Sequence, residues 1–85
     1  MRIYMQQPAA EGVALRFFHL SLQKDLLGGW SLVRESGYQG SAGRVIKKHF
    51  TDRQEALAAM IKLRDLQLSK GYRVVFAQGD SMPSR

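Results

Sequence analysis

The sequence predicts an α+β domain: a small antiparallel β-sheet of about four to five strands with one long helix packed across one face, in the order β-β-β(-β)-α-β. Three observations predict it. Phe18, Leu20 and Leu22 alternate with His19, Ser21 and Gln23, the period-two pattern of a half-buried strand. Ala56, Ala59, Met60, Leu63 and Leu66 recur at three-and-four spacing, the stripe of an amphipathic helix. Glycine clusters at 28–29 and 37–43 punctuate the β-rich runs around them.

The elements follow in order. Residues 1–13 read as an irregular lead-in, since Pro8 and Gly12 interrupt the short run Ile3-Tyr4-Met5. The first firm strand spans about 14–23. Gly28-Gly29 supplies a turn that tolerates positive φ. A second strand covers about 29–36 with Trp30, Leu32 and Val33, Trp30 being placed in the core. Three glycines within Gly37–Gly43 mark tight turns, and Arg44 to Phe50 forms the next strand.

Thr51-Asp52-Arg53-Gln54 matches a capping box, so the helix opens at Thr51 and runs to about Lys70. Gly71 is a natural stop. Tyr72 to Phe76 returns as a last strand, with Tyr72 packed at the sheet edge and its hydroxyl near solvent. The domain thus occupies 14–76, and 77–85 reads as a flexible C-terminal tail.

Length and composition bound the function. Eighty-five residues make one domain with a thin core and no space for a second. Hydrophobic residues form 45% of the chain, enough to pack. No apolar run approaches a membrane span, and residues 1–12 lack the apolar stretch of a signal peptide, so a cytoplasmic protein is expected. There are no cysteines, which excludes disulfides, thiolate metal sites and cysteine nucleophiles.

No catalytic constellation is visible. Neither His19 nor His49 has a carboxylate at a spacing that implies a dyad, and Ser31, Ser36 and Ser41 have no evident base. Asp52 and Glu55 suit a helix first turn. Two isolated histidines do not make a zinc site. Gly37–Gly43 is not a nucleotide-binding P-loop, because it lacks the Gly-Lys-Ser/Thr ending and joins two strands. It reads as a strand link whose free N–H groups could meet a backbone phosphate. No enzyme activity, cofactor, metal or small-molecule substrate is expected.

Charge is the informative quantity. The chain carries a net +6, which attracts polyanions. Half of that excess, +3, falls between Arg34 and Arg53. Arg34, Arg44, Lys47 and Lys48 are the candidate phosphate contacts, with Tyr38 and His49 interleaved to stack or donate. The simpler reading is a solvated strand, because alternation sends Lys47 and Lys48 to opposite faces.

Several stretches together resemble the WGR domain family. They are Phe18-His19-Leu20-Ser21-Leu22, Gly29-Trp30-Ser31-Leu32-Val33-Arg34-Glu35, and Ser36-Gly37-Tyr38-Gln39-Gly40-Ser41-Ala42-Gly43-Arg44-Val45. Phe50, Ala56-Leu57 and Gly71-Tyr72-Arg73 follow, so the resemblance covers about 15–76. It implies a small antiparallel sheet with one helix. It also implies association with DNA near strand breaks, as in poly(ADP-ribose) polymerases, and this chain is similar to the free-standing bacterial members. The family signature is Trp-Gly-Arg, then an apolar residue, then Gly. Ser36, Tyr38 and Gln39 depart from it, while Gly37 and Gly40 remain. Ser36 lacks the ring that the resemblance would place against a terminal sugar.

The expected function is therefore a non-catalytic nucleic-acid-binding module. Its ligand is DNA, held through backbone phosphates at sites such as nicks or ends. The alternative is a protein-interaction module that keeps the fold without the nucleic-acid contacts. It would use an apolar surface around Tyr38, Leu57, Ile61 or Leu68.

Overall fold

A computed structural model describes residues 1–8 and 12–79. Its elements are β1 (Arg2–Gln7), β2 (Arg16–Lys24), β3 (Trp30–Tyr38), β4 (Arg44–Phe50), α1 (Arg53–Ser69) and β5 (Arg73–Gln78). The strands form one sheet in the order β4-β3-β2-β1-β5, antiparallel throughout. The helix packs across β2, β3 and β4 on one face. This is the α+β arrangement that the alternation and the helical stripe predict. The expected tail, 77–85, lies outside the described residues beyond Gly79, and Ala77 and Gln78 belong to β5.

The lead-in assigned to 1–13 instead contains β1, an interior strand between β2 and β5. Ile3 and Met5 point into the core opposite Leu20 and Phe18, while Tyr4 and Gln6 point to the other face. The outward residue Tyr4 is itself aromatic, so the run lacks a clean apolar/polar alternation. Pairing on both sides stabilises a segment too short to be read alone. Between β1 and β5 the register shifts at Tyr4/Met5, leaving Val75 as the extra residue of a bulge.

The core lies under the helix. Met5, Leu20 and Met60 are fully buried, and Phe18, Leu22, Leu32, Ala56 and Tyr72 close around them. Trp30 is half-buried against this cluster, with the Arg53 guanidinium 5.4 Å from its ring centroid. Burial on α1 follows Ala56, Met60, Leu63 and Gln67 rather than ending on Leu66. Leu66 is 48% exposed, and Gln67, one residue further round, takes the inward position. Spacings of four, three and four keep those four residues on a single line of a 3.6-residue helix.

The helix ends differ in how well the sequence announces them. The N-cap is Asp52, one residue past Thr51; its Oδ1 accepts from the Gln54 N–H at 3.1 Å. The C-terminus closes as expected on Gly71, whose φ is +97°. The Tyr72 N–H donates to Gln67 O and the Gly71 N–H to Leu68 O, the paired bonds of a Schellman motif. That turn aims the Tyr72 ring into the core, edge-on to Phe18 at 6.1 Å between centroids. Tyr72 precedes β5 and is buried, not an edge residue of the strand.

Candidate nucleic-acid interface

Strand register divides the six candidate residues between two faces. On β3, Arg34 and Tyr38 share the helix side with Leu32 and Ser36. Register pairs Ser36 with Arg44, Arg34 with Ile46 and Leu32 with Lys48, which puts Arg44 and Lys48 on that side as well. Lys47 pairs with Val33 and His49 with Ser31, both on the opposite face. Four of the six therefore come together, and two do not.

Arg34, Tyr38 and Lys48 border two concavities on the helix side, and Arg44 lines neither. One is a polar cleft of about 280 Å³ between the end of α1 and the β2–β3 pair. Arg16, Arg34 and Lys70 supply its charge, and Ser36, Tyr38 and Tyr72 its hydroxyl-bearing side chains. Arg16 stands opposite Tyr38 in the sheet, and its guanidinium carbon is 5.5 Å from the Tyr38 ring centroid. Arg16 and Lys70 are absent from the sequence-based set. Arg16 is legible in principle, since it shares parity with Phe18 and Leu20; Lys70 joins only because the Schellman turn brings the helix end over β2.

The second is an apolar groove of about 490 Å³ between α1 and β4. Ile46, Phe50, Leu63 and Leu66 line it, and Arg34, Lys48 and Lys62 carry charge into it. The Lys48 ammonium lies 5.3 Å from the Phe50 centroid. Arg34 borders both concavities, and no carboxylate lines either one among the described residues. Such a surface presents guanidinium and ammonium donors together with hydroxyls, the donor set that suits phosphate oxygens.

The turn after β3 is less open than a glycine-rich run suggests. Gln39 N–H donates to Leu15 O at 2.7 Å and Ser41 N–H to Tyr38 O at 3.0 Å. Those two amides are spent inside the fold. Gly40 holds φ +89°, the left-handed conformation the turn requires.

On the opposite face, His49 is engaged locally. Its Nδ1 lies 2.6 Å from Asp25 Oδ2, a carboxylate that chain spacing alone did not bring beside it. Asp25 also accepts from the Leu27 and Gly29 N–H groups and thereby orders the β2–β3 turn. Hydrogen bonding from Gly29 leads the lowering of the Asp25 pKa below the usual carboxylate value. Desolvation opposes it, and Leu27 and His49 reinforce it. Ser31 Oγ reaches the same carboxylate at 3.5 Å. The arrangement braces a turn and lacks the serine–imidazole contact that nucleophile activation needs.

Among the described residues, no group of three or more His, Asp or Glu side chains is placed to hold a metal ion. No described helix is long and apolar enough to cross a membrane. Neither a curated protein nor a solved structure gives a significant match to the chain. The family model described as the WGR domain does match, over residues 1–78. That span takes in β1 and β5 as well as the stretches from 15 to 76, so it covers the whole sheet and its helix. With its five antiparallel strands, its single helix and the Ser36-Gly37-Tyr38 segment at the polar cleft, the chain belongs to the WGR domain family.

Proposed function

We propose that this domain is a non-catalytic nucleic-acid-binding module that holds DNA by its sugar-phosphate backbone on the helix side of the sheet. The observation that carries the reading is the convergence of Arg16, Arg34 and Lys70 on one carboxylate-free polar cleft. Arg44 and Lys48 extend the positive surface along β4. Phosphates spaced along a strand would meet successive cations, with Tyr38 and Ser36 donating between them. Family membership supports the same partner class, because WGR domains are generally nucleic-acid-binding modules in polymerase-like proteins. A polyanionic partner also accords with the net +6.

The role of Ser36 shapes the reading. Where the signature has an indole, this chain has a small hydroxyl beside an open cleft. Recognition then rests on backbone charge and groove shape more than on packing against a terminal sugar. The test is a salt-titrated binding panel of intact, nicked and blunt-ended duplex DNA. Affinity should fall steeply as salt rises, through counterion release. A flat salt response, or no binding at low salt, refutes it.

One observation favours a second reading, a protein-interaction module. The apolar groove between α1 and β4 is the larger concavity, and Leu66, exposed by the helix's rotation, borders it. A partner seated there would perturb Leu66 and Phe50 without responding to DNA.

A further inference from the structure

The face of the sheet turned away from α1 is covered by no described element. Register lays a continuous row across it. Phe76 stands opposite Tyr4, Tyr4 opposite His19, and His19 opposite Glu35. Three rings thus occupy three adjacent strands, about 4.8 Å apart. Phe17, one row away on β2, lies nearly parallel to Tyr4, at 20° and 6.2 Å between centroids. The Tyr4 and His19 centroids are 6.0 Å apart.

A Cβ on Gly43 would come within 2.8 Å of the Glu35 side chain and 3.1 Å of the Phe17 ring, and one on Gly37 within 3.2 Å of the Gly43 Cα and 3.6 Å of the Phe17 ring. Phe76 is 46% exposed on the last strand, and the Arg2 guanidinium carbon sits 5.5 Å from its centroid.

Cations flank this aromatic row. Arg2 and Lys47 lie in the row on one side, and Arg73 in the row on the other. Glu35 is the carboxylate on the strands of this face among the described residues. His19 is held below its ordinary pKa by burial and then by Arg2, with Glu35 opposing, so its ring is predominantly uncharged at neutral pH.

We infer that this open face is a second binding surface, a stacking platform for a single-stranded polynucleotide. Bases would stack on Phe76, Tyr4 and Phe17 while Arg2, Arg73 and Lys47 neutralise the phosphates beside them. Flat rings on neighbouring strands, edged by guanidinium groups, are what sequence-tolerant single-strand recognition requires. A neutral apolar peptide has no use for the flanking cations. This surface is distinct from the duplex-binding face proposed above and uses none of its residues.

The test uses fluorescence anisotropy with labelled oligo(dT) and oligo(U) of about fifteen nucleotides, alongside nicked duplex. Phe76→Leu keeps an apolar side chain on an exposed edge position and removes the ring. It should weaken oligonucleotide binding about tenfold and leave duplex binding unchanged. Arg34→Ala should do the reverse. NMR on the unmodified chain should show the Tyr4, Phe17 and Phe76 ring signals moving on addition of oligonucleotide. Equal oligonucleotide binding by Phe76→Leu and the parent, or ring signals that stay still, overturns the inference. Equal loss of both ligands in Arg34→Ala also overturns it, because one surface would then serve both. Absence of duplex binding by the unmodified chain, with oligonucleotide binding intact, would defeat only the proposed function.

Discussion

Arg16 and Tyr38 are cross-strand partners, and the Arg16 guanidinium lies over the Tyr38 ring at 5.5 Å. This pair joins the start of β2 to the end of β3 at the mouth of the polar cleft. It fixes one cation beside the family's signature segment, where a freely rotating arginine would lose more entropy on binding phosphate.

Removing cleft cations should therefore be felt selectively. Arg16→Ala and Arg34→Ala are each expected to weaken duplex DNA binding several-fold and to reduce the slope of log affinity against log salt by about 1. Lys47→Ala, on the opposite face, should leave duplex affinity within about twofold. Anisotropy titrations at several salt concentrations decide it; equal losses in all three variants would remove the cleft from the interface.

Core packing supplies a second contrast. Met60 is fully buried beneath the sheet and Leu66 is half-exposed beside the groove. Met60→Ala should cost about 2–5 kcal/mol of unfolding free energy, enough to threaten so small a domain. Leu66→Ala should stay within about 0.5 kcal/mol. Urea denaturation at constant m-value measures both.

The helix ends make a third. Asp52→Ala removes the acceptor for the Gln54 N–H and should cost about 1 kcal/mol, while Thr51→Ala should cost a few tenths at most. Gly71→Ala places a Cβ at φ +97° and should cost about 1–2 kcal/mol. Thermal melts followed by circular dichroism would rank the three; a larger loss for Thr51 than for Asp52 would contradict the cap assignment.

Stability should also fall on acidification, in two windows. His19 in the folded state takes up a proton less readily than in the unfolded chain, whose imidazole titrates near 6.5. Between that value and its depressed folded one the unfolded chain binds more protons, so stability declines as pH drops through this interval. Asp25 is likewise depressed, from 3.8, so its contribution is present above that value and is lost as pH falls through its folded one. His19→Gln should flatten the upper window and leave the lower. Unfolding free energies across the acid range would show a surviving upper decline if another group were responsible.

What the sequence made legible follows its periodicities. Phe18, Leu20 and Leu22 reveal β2 because their neighbours are polar, and Gly71 reveals the helix stop because only glycine suits that φ. Strand β1 escaped because Pro8 and Gly12 interrupt the short run that holds it, and its strength comes from two partners far along the chain. Alternation along β4 did separate Lys47 from Lys48. It could not reveal that Asp25 would engage His49, or that Lys70 would arrive over β2 beside Arg16. Those meetings are set by the turn at Gly71 and by the β2–β3 hairpin, and pairwise spacing in the sequence does not encode them.

The pairing of β1 with β5 places Arg2 directly opposite Gln78. Almost the whole chain is the loop that this pairing closes, so its entropy cost is the largest of any contact in the sheet. The β2–β3 and β3–β4 hairpins and the helix can form from near neighbours; the β1–β5 edge must wait for them. Because the two strands run antiparallel with Arg2 and Gln78 at the same end, tension applied at those points would load one pair of hydrogen bonds at a time. The domain would peel open from that edge instead of resisting in shear. Mechanical release would begin on the strands that carry Phe76 and Tyr4, with the Arg16–Tyr38 side of the sheet still closed.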